Sequence, residues 1–243
     1  MRDWVCGFFM AWGMFLAIPC PRKIWSESAR QKMLVCMPLV GLLAGGVWAG
    51  AWLLLRGAPG PVRAAVCAAA PWLVTGFMHL DGYMDVCDAV LSRRDLATRQ
   101  RILKDSHCGA FAVICMVLLA MGQWSLFLAA EDVSWLGLLL IPAATRACAG
   151  LAVLGLRPMG TSQYAAMGPA RGGYGAALWV LLALSVGLPL WLDGSFGPLA
   201  AAAGYGLAVW YGFRNLDGMS GDIPGFALTI GELCGCGAAI LWR

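Results

Sequence analysis

The residues best equipped for chemistry lie in one run, HLDGYMDVCDAVLSRRDLATRQRILKDSHCG, from His79 to Gly109. It holds five of the chain's 13 acidic residues (Asp81, Asp85, Asp88, Asp95, Asp105), five bases (Arg93, Arg94, Arg99, Arg101, Lys104) and both histidines. On a helix, Asp81, Asp85 and Asp88 stand at i, i+4 and i+7, which puts three carboxylates on one face over about two turns. Like charges that close repel unless protons or a cation hold them together. A hard divalent ion suits clustered carboxylate oxygens, and Mg2+ commonly bridges a protein to substrate phosphates. The nearby bases suit anionic groups. The competing reading is a solvated helix face neutralised by its own Arg and Lys neighbours. Against it, Asp81 follows directly on an apolar run, where a merely solubilising carboxylate has no reason to sit.

Other polar residues stand out by position. Arg146 and Glu232 fall inside apolar runs, where an ionisable group is costly enough to point to function. Either they pair with each other or another buried group to fix packing, or Arg146 faces a phosphate and Glu232 orients a metal ligand or base. Asp217 and Asp222 form a second acidic pair in the loop at 214–224. His79 and His107 read equally as substrate contacts or as ordinary loop residues. Gly82, next to Asp81, fits a helix packed closely on a ligand, and Asp-Gly is equally a turn signal.

The elements that must position these groups are membrane helices. The chain is 60% hydrophobic and 12% charged, whereas soluble domains carry about a quarter charged residues. A net charge of +4 is not gathered into a basic face, so nucleic acid is not an expected partner. Apolar runs at 33–55, 64–80, 110–130, 135–156, 174–192, 199–213 and 226–242 are expected spans. The run at 4–19 is slightly short, and either crosses or lies at the interface. Leu96, Ile102 and Leu103 alternate with the charges from Arg93 to Lys104, as in an amphipathic interfacial helix. With no repeat and no soluble segment, the chain reads as one domain over 1–243, an all-α polytopic membrane bundle of about seven to eight transmembrane or interfacial helices.

Lys and Arg bias sets the orientation. The loops at 20–32, 81–109, 157–173 and 214–224 are expected on the cytoplasmic side, with the turns at 56–63, 131–134 and 193–198 opposite. Asp81, Asp85, Asp88, Asp105 and Asp222 then share the side where nucleotides and Mg2+ are available. Most of the ten cysteines sit in apolar runs as small hydrophobes, and Cys234-Gly-Cys236 lacks the spacing of a zinc or redox pair. The first apolar run ends in Pro-Cys-Pro and lacks a small-residue cleavage site, so a removed signal peptide is not expected.

The runs HLDGYMDVCDAV and LKDSHCGAF, with FLAIPCP at 15–21, MPLVGLLAGG at 37–46 and SGDIPGFALTIGEL at 220–233, resemble the adenosylcobinamide-GDP ribazoletransferase (cobalamin synthase) family. The resemblance covers nearly the whole chain. It implies that adenosylcobinamide-GDP is joined to α-ribazole or its 5′-phosphate with release of GMP, needing Mg2+, at the cytoplasmic (inner) membrane. It places Asp81, Asp85 and Asp88 on the family's acidic motif, Lys104, Asp105 and Ser106 on its KDS motif, and Asp222 and Glu232 on its C-terminal motif. Leu103, His107, Ala112 and Ser220 depart from the usual residues, and the missing base at 107 puts one phosphate contact in doubt.

On this reading Asp81, Asp85, Asp88 and Asp222 are the expected Mg2+ ligands. His79, Gly82, Lys104, Ser106, Arg146 and Glu232 are expected substrate contacts. Asp105 is the expected proton acceptor, with Asp88 or Asp222 as alternatives. Membrane lipid is an expected partner, and a homo-oligomer is left open. Two rival enzyme classes fit less well. A CDP-alcohol phosphotransferase usually shows Asp-Gly-x-x-Ala-Arg, where this chain has Met84-Asp85, and an aromatic prenyltransferase wants Asp-rich motifs that Asp217 and Asp222 match poorly. A cation transporter would place its carboxylates at the bilayer midplane.

Overall fold

A computed structural model describes residues 2–160, 162, 164, 165 and 172–242. Within them the chain forms α1 (Arg2–Phe15), α2 (Arg30–Leu54), α3 (Gly60–Val74), α4 (Met78–Leu91), α5 (Leu96–Ile102), α6 (Ala110–Ala129), α7 (Trp135–Gly155), α8 (Tyr174–Leu192), α9 (Gly197–Leu216) and α10 (Asp222–Leu241). Extended pairing among the described residues is limited to one bridge between Pro158 and Met219. The architecture is all-α, as expected. Part of the loop expected at 157–173 lies outside the described residues.

Helices α2, α6, α7, α8 and α10 are each long and apolar enough to cross a membrane, and α3 with α4 qualifies as a pair bent by 90°. Helix α9, with 20 residues, is about 30 Å long and ties opposite rims together. Its first residue, Gly197, lies beside Ser195, in the turn whose Asp193 accepts a hydrogen bond from Ser134 at the start of α7. At its far end Asn215 and the Leu216 carbonyl accept from Arg99 and Gln100 of α5.

The turns sort into two rims as the base distribution predicts. On one, Arg56 pairs with Asp132 at 3.7 Å and Arg63 donates to the Ala130 carbonyl at 3.2 Å. Exposed Trp135, Trp191 and Trp242 lie near helix ends on that side, where amphipathic rings settle at a membrane interface. On the other, base-rich rim, Arg157 pairs with Asp217 at 2.5 Å and α5 docks on the end of α9. Both ends of α1 also meet this rim. Asp3 pairs with Lys32 at 2.6 Å, and Phe15 stacks on His79 with ring centroids 6.0 Å apart. Its 14 residues reach only about 21 Å, so α1 lies along the rim instead of crossing.

One expected element is corrected. The span at 64–80 is not continuous but breaks at Thr75, Gly76 and Phe77. Thr75 donates its hydroxyl to the Pro71 and Trp72 carbonyls at 2.8 and 3.2 Å. The Gly76 and Phe77 N–H groups bond back to Leu73 and Trp72 at 3.1 and 2.9 Å, with φ of +60° and +63°. This is the paired closure that ends a helix on a left-handed glycine, and the chain turns sharply into α4.

Helix packing relies on close backbone contact. A Cβ on Gly41 of α2 would fall 2.5 Å from the Pro142 carbonyl of α7, and Gly45 meets Leu139 more tightly still. Small residues at such crossings let membrane helices approach closely. The outward faces of α6 and α8 leave Ile114, Leu118, Met121, Trp179, Val180 and Leu184 exposed. All ten cysteines are free thiols.

Candidate functional site

Helix α4 is the platform. Its contact with α10 depends on glycine, because a Cβ on Gly82 would lie 2.8 Å from the Asp222 carbonyl oxygen, and one on Gly225 would lie 3.1 Å from the His79 carbonyl oxygen. Thr229 closes the contact by donating its hydroxyl to the His79 carbonyl at 3.3 Å and the Gly225 carbonyl at 3.0 Å. The first turn of α10 is thereby seated on the face of α4 that carries Asp81 and Asp85, and Asp222 opens that turn.

Three carboxylates from two segments separated by 137 to 141 residues in sequence (222−85, 222−81) are thus neighbours. The charges of Asp81, Asp222 and Asp88 all act on Asp85, and Asp81 also acts on Asp222. Asp81 is exposed, while Asp85 and Asp222 are half-buried. Ser220 donates to Asp222 at 3.2 Å. Among the described residues none of the three forms an ion pair with Lys, Arg or His, which tells against the solvated, self-neutralised helix face.

Nor do described residues form a ready-made cage of three or more metal-binding side chains. Mg2+ does not require one. It keeps several waters and is usually held by one or two carboxylates together with substrate phosphates. All-oxygen and without a basic partner, one or two of Asp81, Asp85 and Asp222 fit such an ion.

Asp88 is placed differently. Its Oδ2 accepts from the Gly109 N–H at 2.6 Å and its Oδ1 from the Ala112 N–H at 3.0 Å. It therefore caps the start of α6, where free N–H groups and the helix dipole favour a carboxylate. This grip also anchors the loop carrying Lys104, Asp105 and Ser106, all three exposed. The Asp105 carboxylate accepts from the His107 ring at 2.6 Å and from the His107 N–H at 3.0 Å. Those bonds hold it below its ordinary pKa, and it is ionised at neutral pH. Among the described residues no hydrogen bond or ion pair joins this loop to Asp81, Asp85 or Asp222.

Arg146 and Glu232 lie inside the bundle, 1% and 6% exposed, and pair with each other at 2.7 Å. Arg146 also donates to the Pro142 carbonyl at 3.1 Å. Of the two arrangements expected for these residues, the mutual pair is the one observed. His79 is buried, with its Nε2 lacking a partner among the described residues. Ser220, Gly225 and Thr229 lie in the run at 220–233 that carries the resemblance, but sequence reasoning gives them no role of their own until α10 is docked on α4.

A family described as cobalamin-5-phosphate synthase matches residues 7–240. Among curated proteins, an adenosylcobinamide-GDP ribazoletransferase of Clostridium botulinum (strain Alaska E43 / Type E3) is 32% identical over 257 aligned positions, covering 100% of both chains. One from Clostridium perfringens (strain 13 / Type A) is 32% identical over 93% of this chain and 94% of its own. One from Ralstonia pickettii (strain 12J) is 32% identical over 100% of this chain and 96% of its own. No solved structure matches. With its length matched end to end and its acidic runs brought together at one rim, this chain belongs to the cobalamin-5-phosphate synthase family.

Proposed function

We propose that this protein joins adenosylcobinamide-GDP to α-ribazole, or to its 5′-phosphate, and releases GMP. The observation that carries this reading is the meeting of Asp81, Asp85 and Asp222 at the α4–α10 contact, in a chain matched over its full length by ribazoletransferases. Chemically, a ribazole hydroxyl oxygen bonds to the cobinamide-side phosphorus, the bond from that phosphorus to the bridging oxygen breaks, and GMP leaves. Such a transfer is governed by positioning and charge neutralisation.

One or two of Asp81, Asp85 and Asp222 would hold Mg2+ together with the substrate's diphosphate, and the ion would supply charge neutralisation for that diphosphate and its leaving group. The residues of the chain do the rest. Asp105, ionised and exposed, takes the hydroxyl proton. Lys104 and Ser106 beside it offer donors to non-bridging phosphate oxygens. Asp88 holds their loop against α4 through Gly109, so its contribution is positioning. Arg146 and Glu232 pair with each other inside the bundle, so their contribution is to the packing of α7 on α10. The base-rich rim faces the cytoplasm across the inner membrane by the positive-inside rule.

The test is direct. Purified protein in detergent, given adenosylcobinamide-GDP, α-ribazole and Mg2+, should release GMP, and chelation of Mg2+ should stop it. Asp81→Asn and Asp85→Asn should each lower turnover by about 10²-fold or more with an unchanged melting midpoint. Near-normal turnover in both variants would remove the carboxylate site.

A further inference from the structure

Beside the carboxylates the base-rich rim holds a cavity of about 310 Å3 between α1, α2, α4, α7 and α10. That is near the lower end of the roughly 300–1,000 Å3 typical of small-molecule sites. Tyr164 on its wall is close enough to Asp222 to feel its charge. His79 precedes Asp81 by two residues on α4, and Gly221 and Pro224 flank Asp222 on α10.

The lining is mostly apolar, with Phe15, Met37 and Leu228 among its walls, and its polar side chains are Arg30, Tyr164 and His79. Arg30 is engaged by Glu27 at 3.2 Å. Burial pushes the Tyr164 phenol up to about 12, so it is a neutral hydroxyl. His79 is different. Only 8% exposed and stacked on Phe15, it has a buried Nε2 with no protein partner among the described residues. A buried polar atom left without a bond is costly, and an orphan at a cavity wall points to a bond made when the cavity is filled.

The walls thus suit a flat, largely apolar ring system with few hydrogen-bonding atoms, one of them set toward His79. Guanine fits less well against mostly apolar walls, since burying several donors and acceptors is costly unless each finds a partner. A benzimidazole riboside fits well. One ring nitrogen is taken by the sugar, the other is a lone acceptor, and the rest of the bicycle is hydrocarbon.

Building on the transferase reading above, we propose that this cavity holds the aromatic base of the ribazole acceptor, with His79 Nε2–H donating to the base's free ring nitrogen. Methionine-lined walls suit such a ring because they adapt to its outline, and His79 then selects ligands by their ring nitrogen.

Equilibrium dialysis of the purified protein against α-ribazole and its indole counterpart, in which the free nitrogen is replaced by C–H, tests this. Wild-type protein should prefer α-ribazole by at least about ten-fold. His79→Phe should bind the two alike, at the level of the indole compound, and His79→Gln, which keeps a donor, should restore most of the preference. Equal wild-type binding of the two ligands, or a preference undiminished in His79→Phe, would overturn the proposal. The wild-type comparison needs no variant, so misfolding of His79→Phe does not disarm it. GMP release is measured separately: the expected preference without turnover supports the cavity while removing the transferase reading.

Discussion

Arg146 and Glu232 illustrate how a single residue's role depends on its partner. Each alone, deep in an apolar helix, would be an uncompensated charge. Together at 2.7 Å they satisfy one another across α7 and α10. Removing one member leaves the other buried and unpaired, which costs about 3–5 kcal/mol, whereas replacing both with apolar residues of similar volume is often nearly neutral. Glu232→Gln should therefore lower the unfolding midpoint in detergent markedly, and Arg146→Met with Glu232→Leu should recover most of it. A double variant no more stable than Glu232→Gln would mean that the pair acts on something other than packing. Asp88 makes the same point, since its two oxygens serve backbone N–H groups 21 and 24 residues further on.

Among the elements, the contact of α4 with α10 decides whether there is a site at all. It forms because α3 stops at Gly76 and α4 leaves it at 90°, turning its acidic face toward the rim. It stays close because Gly82 presents no side chain to the Asp222 backbone. Gly82→Ala puts a Cβ 2.8 Å from a carbonyl oxygen that cannot swing away, so α10 must shift. Overpacking of this kind costs about 1–3 kcal/mol, while displacement of a reacting group by an ångström can cost about 10²-fold in rate. The expected result is a large loss of GMP release with a small change in melting midpoint. Full activity in Gly82→Ala would show that the registration of Asp222 on α4 does not matter to the reaction.

At the scale of the molecule, the carboxylates sit on the base-rich rim, and exposed tryptophans mark both rims, Trp4 and Trp25 on this one and Trp135, Trp191 and Trp242 on the other. Cys108 reports on this arrangement because it is exposed on the loop that Asp88 anchors. A membrane-impermeant thiol reagent should label Cys108 in inverted membrane vesicles and not in intact cells, with Cys108→Ser as the blank. Labelling from outside intact cells would reverse the orientation and separate the site from cytoplasmic nucleotide. The sequence by itself determined the membrane class, five of the seven expected spans as unbroken helices long enough to cross, the grouping of loops and the acidic stretch, because hydropathy, helical spacing and Lys/Arg bias are properties of neighbouring residues. The tertiary structure decided that α3 and α4 part at a right angle, which of the two expected arrangements Arg146 and Glu232 adopt, and that of the four expected carboxylates Asp222 seats beside α4 while Asp88 turns to α6. Asp222 reaches Asp85 and Asp81 across 137 and 141 residues (222−85, 222−81) and Arg146 reaches Glu232 across 86, where a missing Cβ or a buried partner selects the contact; Asp88 chooses the start of α6, 21 and 24 residues on, only once the loop between them has closed.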